Sequence, residues 1–194
     1  MDQPDPHSDV SLIARLVAGE NLALDTIMKR YQEPIFFFVL RYVHDEDLAY
    51  DLVQETFFRV YTRAASYNPE YRFTTWLYQI ALNLCRDHGR KQALRKFFSL
   101  SNSETGKEAK AAMVHNAHIE KNYEMDHDIS ELQQEITKLP HKLKTTLILF
   151  TLEENSQLAC SEILGISQKA VETRVYRAKK ILKQKMTKRF EGKR

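Results

Sequence analysis

The sequence predicts an all-α protein of two small helical domains joined by a flexible linker. Three observations carry that expectation. The 194 residues include five glycines and five prolines, less than half the usual combined share of about 12%. That is too few breakers for the many tight turns of a sandwich or barrel. The breakers that occur stand helix-lengths apart, and no strand-like alternation outlasts four residues. Composition also shifts along the chain. Sixteen of the twenty Phe, Tyr and Trp fall between Tyr31 and Phe98. Residues 99–130 carry six Asp and Glu against three Lys, with poor periodicity, and read as connector. The resulting division is a first domain at 8–97, a linker at 98–128 and a second domain at 129–188.

Each element has its local reason. Ser8 or Asp9 caps a first helix to about Ala18, and 20–43 reads as one long or kinked helix, with Pro34 a candidate interruption. Asp45 caps the next, to about Ala65, where Leu48, Leu52, Val53, Phe57, Val60 and Ala64 recur at helical spacing. Asn68-Pro69 marks a loop at 66–73. Thr74 is a good N-cap for a helix through His88, with Gly89 just past its end. Beyond the linker, helices are expected at 129–138, 141–153, 157–164 and 167–188.

The strongest local motif is the run 157–171, QLACSEILGISQKAV. A short helix ends at Gly165, which supplies the positive φ of a tight turn, and Ser167 caps a second helix. Ser161 leaves room where the helices cross, and Val171 packs back into the crossing. The second helix carries Val171, Val175, Ala178, Leu182 and Met186 as its apolar stripe. Lys169, Arg174, Arg177, Lys179 and Lys180 lie off it. This is a helix-turn-helix whose basic face fits a duplex major groove. A helical hairpin with a solvated basic face is the alternative. Eleven Lys and Arg against two Glu from Gln168 to Arg194 favour the groove.

A second basic stretch, 86–97, holds five Lys and Arg and one Asp. On the preceding helix Gln79, Asn83, Arg86 and Arg90 form one polar stripe. Arg86, Arg90 and Lys91 suit phosphates, and Asn83 and Gln79 suit base edges. Tyr67, Tyr71, Phe73 and Trp76 lie just before it, and aromatic faces beside basic residues suit unstacked bases. Trp76 is expected in the core and Tyr71 in solvent.

Other chemistry is absent or weak. No GxSxG, P-loop or GxGxxG occurs. Asp47, Asp51 and Glu55 share a helix face, and His115 and His118 are three apart. Neither makes an ordered ligand set, so no metal, cofactor or catalysis is expected. Cys85 and Cys160 lack metal or redox spacing and read as idle thiols of a cytoplasmic protein. No signal-peptide pattern and no membrane-spanning apolar run is expected.

With those motifs in order, 10–97 and 129–186 resemble the extracytoplasmic-function sigma factors of bacterial RNA polymerase. The run 51–61, DLVQETFFRVY, looks like the family's polymerase-binding helix. The run 73–83, FTTWLYQIALN, looks like its promoter-melting segment. Leu139-Pro140, ILGIS at 163–167 and RVYRAK at 174–179 look like its domain 4. The resemblance implies that the first domain is sigma domain 2 and the second sigma domain 4. It implies that Asp51, Gln54, Glu55 and Phe58 meet the polymerase β′ clamp helices, and that the β flap is a further contact. Tyr67, Tyr71 and Phe73 would hold a flipped base of the minus-ten element, with Asn83, Arg86 and Arg90 beside it. Gln168, Lys169, Glu172, Thr173, Arg174 and Arg177 would read the minus-thirty-five element. The linker would thread toward the polymerase cleft, and an anti-sigma factor would hold the protein inactive. Cys160, Ser161 and Glu172 depart from the family's usual Ile, Ala and Lys. A stand-alone helix-turn-helix regulator would account for the C-terminal half but not the aromatic loop. A decoy that binds only an anti-sigma factor would not account for the basic stripes.

Overall fold

The computed structural model describes residues 5, 7–101 and 123–191. They are helical throughout apart from turns and loops, with no strand among them. They fall into two compact units, one on each side of the 102–122 stretch.

The first unit holds four helices: α1 (Asp9–Val17), α2 (Leu22–Val43), α3 (Glu46–Arg63) and α4 (Phe73–Ser101). Ser8 caps α1 by accepting from the Ser11 N–H at 3.2 Å, and Asp45 caps α3 by accepting from Leu48 at 3.0 Å. Pro34 does not interrupt α2. An interior proline costs about 3 kcal/mol. Ile35, Phe38 and Val39, all fully buried just beyond it, return roughly 1.5–3 kcal/mol each. A 3₁₀ turn at Ala64–Ser66 leads from α3 into the 67–72 loop. α1 packs on α2, and α2, α3 and α4 pack on one another around Leu12, Ile27, Phe38, Val60 and Leu77.

α4 differs from the expectation at both ends. Thr74 is its second residue, not its cap: the Arg72 carbonyl accepts from the Trp76 N–H at 3.3 Å. Gly89 does not end it. A helical glycine costs only about 1 kcal/mol relative to Ala, and Arg90, Lys91, Gln92, Ala93 and Leu94 behind it are good helix formers.

The second unit holds α5 (Tyr123–Thr137), α6 (His141–Leu147), α7 (Gln157–Leu164) and α8 (Gln168–Glu191). α5 begins six residues before the expected start. The expected helix at 141–153 is α-helical only to Leu147 and then takes a π turn over Ile148–Leu152. The Glu153 N–H bonds the Ile148 carbonyl at 3.0 Å, and the Asn155 N–H and Nδ2 bond that of Leu149 at 3.2 and 3.1 Å. Ser156 then caps α7 through the Ala159 N–H at 3.1 Å. Ile136, Leu139, Leu147, Ala178 and Leu182 form a core between α5, α6 and α8.

Both cysteines are buried free thiols. Burial pushes the Cys160 thiol up to about 11, which leaves it protonated and unreactive at neutral pH. The centre of the expected linker, with His115 and His118, lies outside the described residues.

Candidate nucleic-acid and polymerase interface

On α3 the buried side is Leu52, Val53, Thr56, Phe57 and Val60. Asp51 and Gln54 stand exposed on the other side. Phe58 joins them with 59% of its surface in solvent, and Tyr50 and Tyr61 are also exposed. Phe58 is thus an uncovered ring among polar and acidic neighbours. Glu55 is half-buried and paired with Arg59 one turn on, at 2.8 Å.

Between α3 and α4 the chain makes an ordered turn. The Asn68 Oδ1 accepts from the Glu70 N–H at 3.0 Å, and the Tyr71 N–H reaches the Asn68 carbonyl at 3.1 Å. The Tyr67 hydroxyl spans the turn and donates to the Tyr71 carbonyl at 2.6 Å. Tyr67, Phe73 and Trp76 form one ring cluster, with centroids 5.3–6.0 Å apart. Tyr71 stays outside it, 62% exposed. Phe73 is 3% exposed, so its ring cannot stack on a base. The expected contact is corrected to a packing role, because the first residue of α4 faces Tyr31 of α2 at 5.3 Å. Trp76 is half-buried rather than fully in the core. An open cleft of about 370 Å³ lies beside the loop, lined by Asp9, Val10 and Pro69 through Thr74.

Asn83 and Arg86 lie ten and thirteen residues along α4 from Phe73, about 15–20 Å at 1.5 Å per residue. Asn83 is exposed and its amide makes no hydrogen bond among the described residues. Arg86 is half-buried, and its Nε is enclosed without a partner there. A buried donor left unpaired costs about 1–3 kcal/mol. Arg90 is exposed and paired with Asp87.

The α7–α8 turn is built as the motif predicts. Gly165 has φ +62°, and the Ile166 N–H bonds the Ser161 carbonyl at 3.0 Å. Ser167 caps α8 by accepting from the Ala170 N–H at 3.2 Å. Val171, Val175, Ala178 and Leu182 are buried. Gln168, Lys169, Glu172 and Arg177 are exposed, and Thr173 and Arg174 are half-buried. Lys169 and Glu172 neutralise each other at 2.8 Å, and the Thr173 hydroxyl is turned back onto the Lys169 carbonyl at 2.8 Å. Tyr176, 66% exposed, and Lys180 continue the same solvent face. Tyr176 was missed because an aromatic in a helix reads as core; its place off the Val171–Val175 stripe was the available signal.

Among the described residues no group of three or more His, Cys, Asp or Glu is placed to hold a metal. None of their helices is long and apolar enough to cross a membrane.

Residues 27–95 match a family profile described as Sigma-70 region 2, and residues 129–182 one described as Sigma-70, region 4. The ECF RNA polymerase sigma factor SigM of Bacillus subtilis (strain 168) is 30% identical over 163 residues, covering 84% of this chain and 94% of that one. The fold is similar to that of CnrH, solved in complex with the cytosolic domain of CnrY. The TM-score is 0.66 at 21% identity, over 92% of this chain and 97% of that one. It is also similar to sigma factor RpoE, solved in complex with the anti-sigma factor NepR from Bartonella quintana. There the TM-score is 0.61 at 19% identity, over 84% and 96%.

Proposed function

The chain belongs to the extracytoplasmic-function branch of the sigma-70 family and acts in promoter-specific transcription initiation with RNA polymerase, and on that premise we propose how its surfaces divide the work. It is a dissociable specificity subunit without catalysis of its own, acting in the cytoplasm. Residues 8–97 dock on core polymerase and open the minus-ten element, 129–188 read the minus-thirty-five element, and 98–128 join them toward the polymerase cleft. The α3 face of Asp51, Gln54, Glu55 and Phe58 meets the β′ clamp helices, and the second unit meets the β flap. Tyr71 stacks on an extruded base, held in place by Tyr67, while Asn83 and Arg86 contact the strand beyond. Gln168, Lys169, Glu172, Thr173, Arg174 and Arg177 enter the upstream major groove. A phosphate gives Arg86 a charge-assisted partner and competes with Asp87 for Arg90.

The observation that carries this reading is the exposed Tyr71 ring on a turn locked by the Tyr67 hydroxyl and the Asn68 side chain. A helix-turn-helix alone explains duplex binding; a rigid exposed aromatic explains why strands, once parted, stay parted. An anti-sigma factor controls access to these surfaces, in keeping with the complex of sigma factor RpoE with the anti-sigma factor NepR. Run-off transcription with core polymerase on genomic fragments tests the reading. Discrete transcripts that depend on this chain support it, and their absence alongside tight core binding overturns it.

A further inference from the structure

The 67–72 loop makes its own turn, but nothing within it sets its angle to the rest of the unit. Beside the packing of α1 on the 64–66 turn that leads into it, a chain of contacts starting almost sixty residues earlier reaches the loop. Asp9, in the first turn of α1, pairs with Arg30 of α2 and accepts from the Tyr31 hydroxyl at 2.6 Å. Both of its carboxylate oxygens are thereby engaged. The Tyr31 ring lies 5.3 Å from Phe73, and Phe73 lies 5.9 Å from Tyr67. Tyr67 ties the loop through the Tyr71 carbonyl. Asp9 and Val10 also wall the cleft on the side facing the loop. The aromatic links alone are soft, since ring pairs tolerate a range of offsets. The charge-assisted bond at Asp9 fixes where the Tyr31 ring sits, and so where the ring cluster and loop sit.

We propose that Asp9 is a positioning residue for base capture, holding the Tyr71 loop at its working angle through Tyr31, Phe73 and Tyr67. The inference rests on the loop's assignment to base capture. An anchor of this kind acts on single-stranded DNA without touching it, and leaves the α3 face and the second unit unaltered.

The test uses holoenzyme assembled from core polymerase and each full-length variant. The probe is a fluorescent single-stranded oligonucleotide carrying the non-template minus-ten region of a promoter recovered by run-off transcription. Asp9→Ala is expected to weaken its binding about tenfold, the scale of one lost base–aromatic stack, with core affinity unchanged. Asp9→Asn keeps an acceptor for the Tyr31 hydroxyl but not the charge, and is expected to recover part of the loss. Ile13→Val, which trims the buried face of the same helix, is the control for general weakening of α1 and is expected to bind as wild type. If Asp9→Ala binds normally while Tyr71→Ala is weakened, the inference falls and the loop assignment stands. Silence from Tyr71→Ala as well removes both. Equal losses from Asp9→Ala and Ile13→Val reduce Asp9 to an ordinary structural residue and overturn the proposal.

Discussion

Tyr71 and Asn83 both stand in solvent, and neither side chain makes a hydrogen bond among the described residues. Removing either leaves the core intact. Tyr71→Ala and Asn83→Ala are therefore expected to bind duplex promoter normally and to lose open complex, since stacking worth about 1–3 kcal/mol per base acts only after strands part. Permanganate reactivity of the minus-ten thymines measures this, and normal melting by both variants at saturating polymerase would remove the assignment. Tyr31 gives a second residue-level expectation. Burial, then its bond to Asp9, pushes its hydroxyl up to about 12, from an ordinary value near 10. The folded state thus keeps the proton that the unfolded chain releases. The stabilisation is complete below about pH 10 and is lost as pH rises through about 12. Thermal melts at pH 9 and 11.5 should show a larger loss for wild type than for Tyr31→Phe; equal losses would contradict the raised Tyr31 value. At this scale the caps were legible: Ser8, Asp45 and Ser167 each accept the backbone N–H their chemistry suits. The Asp9–Tyr31 bond was not, because nothing local ties residues 22 apart.

Among the elements, α8 was the most legible in sequence, since cap, turn glycine and apolar stripe all agree. α4 was misjudged at Gly89, where the helix formers behind it outweighed a local stop signal, while α2 runs through Pro34 as the one long helix its sequence allows. The π turn after α6 was illegible because the Asn155 bonds that shape it form only once the backbone has turned back. Within α8, position predicts role. Arg174 lies nearer the start of the helix and Arg177 is exposed one turn on. Arg174→Ala is expected to relax preference at one upstream base pair, by about 1–3 kcal/mol of discrimination. Arg177→Ala should instead weaken all sequences alike and lower the salt slope by about 1. A promoter-library selection with each variant separates the two, and equal loss of specificity from both would contradict the placement. On α3, Gln54→Ala with Glu55→Ala is expected to weaken core binding in a pull-down titration. Stability should change little, since Gln54 is exposed, where changes usually cost less than about 0.5 kcal/mol, and the partly exposed Glu55–Arg59 pair contributes about 0–1 kcal/mol. Unchanged core affinity would remove the α3 face from the interface.

For the whole molecule, the two-part architecture was legible from the clustering of aromatics and charge. On the proposed reading one chain carries two kinds of DNA contact: a basic helix suited to duplex and an aromatic loop suited to a parted strand. Neither unit alone accounts for promoter opening. The most direct test is permanganate footprinting of a run-off-selected promoter with core polymerase and the full chain, beside Tyr71→Ala and Arg177→Ala. Wild type should expose thymines in the minus-ten region. Tyr71→Ala should occupy the promoter without exposing them, and Arg177→Ala should expose them only at higher protein or lower salt. Thymine exposure that is unaffected by Tyr71→Ala, or abolished by Arg177→Ala at every salt concentration, would contradict the division of labour between the two units.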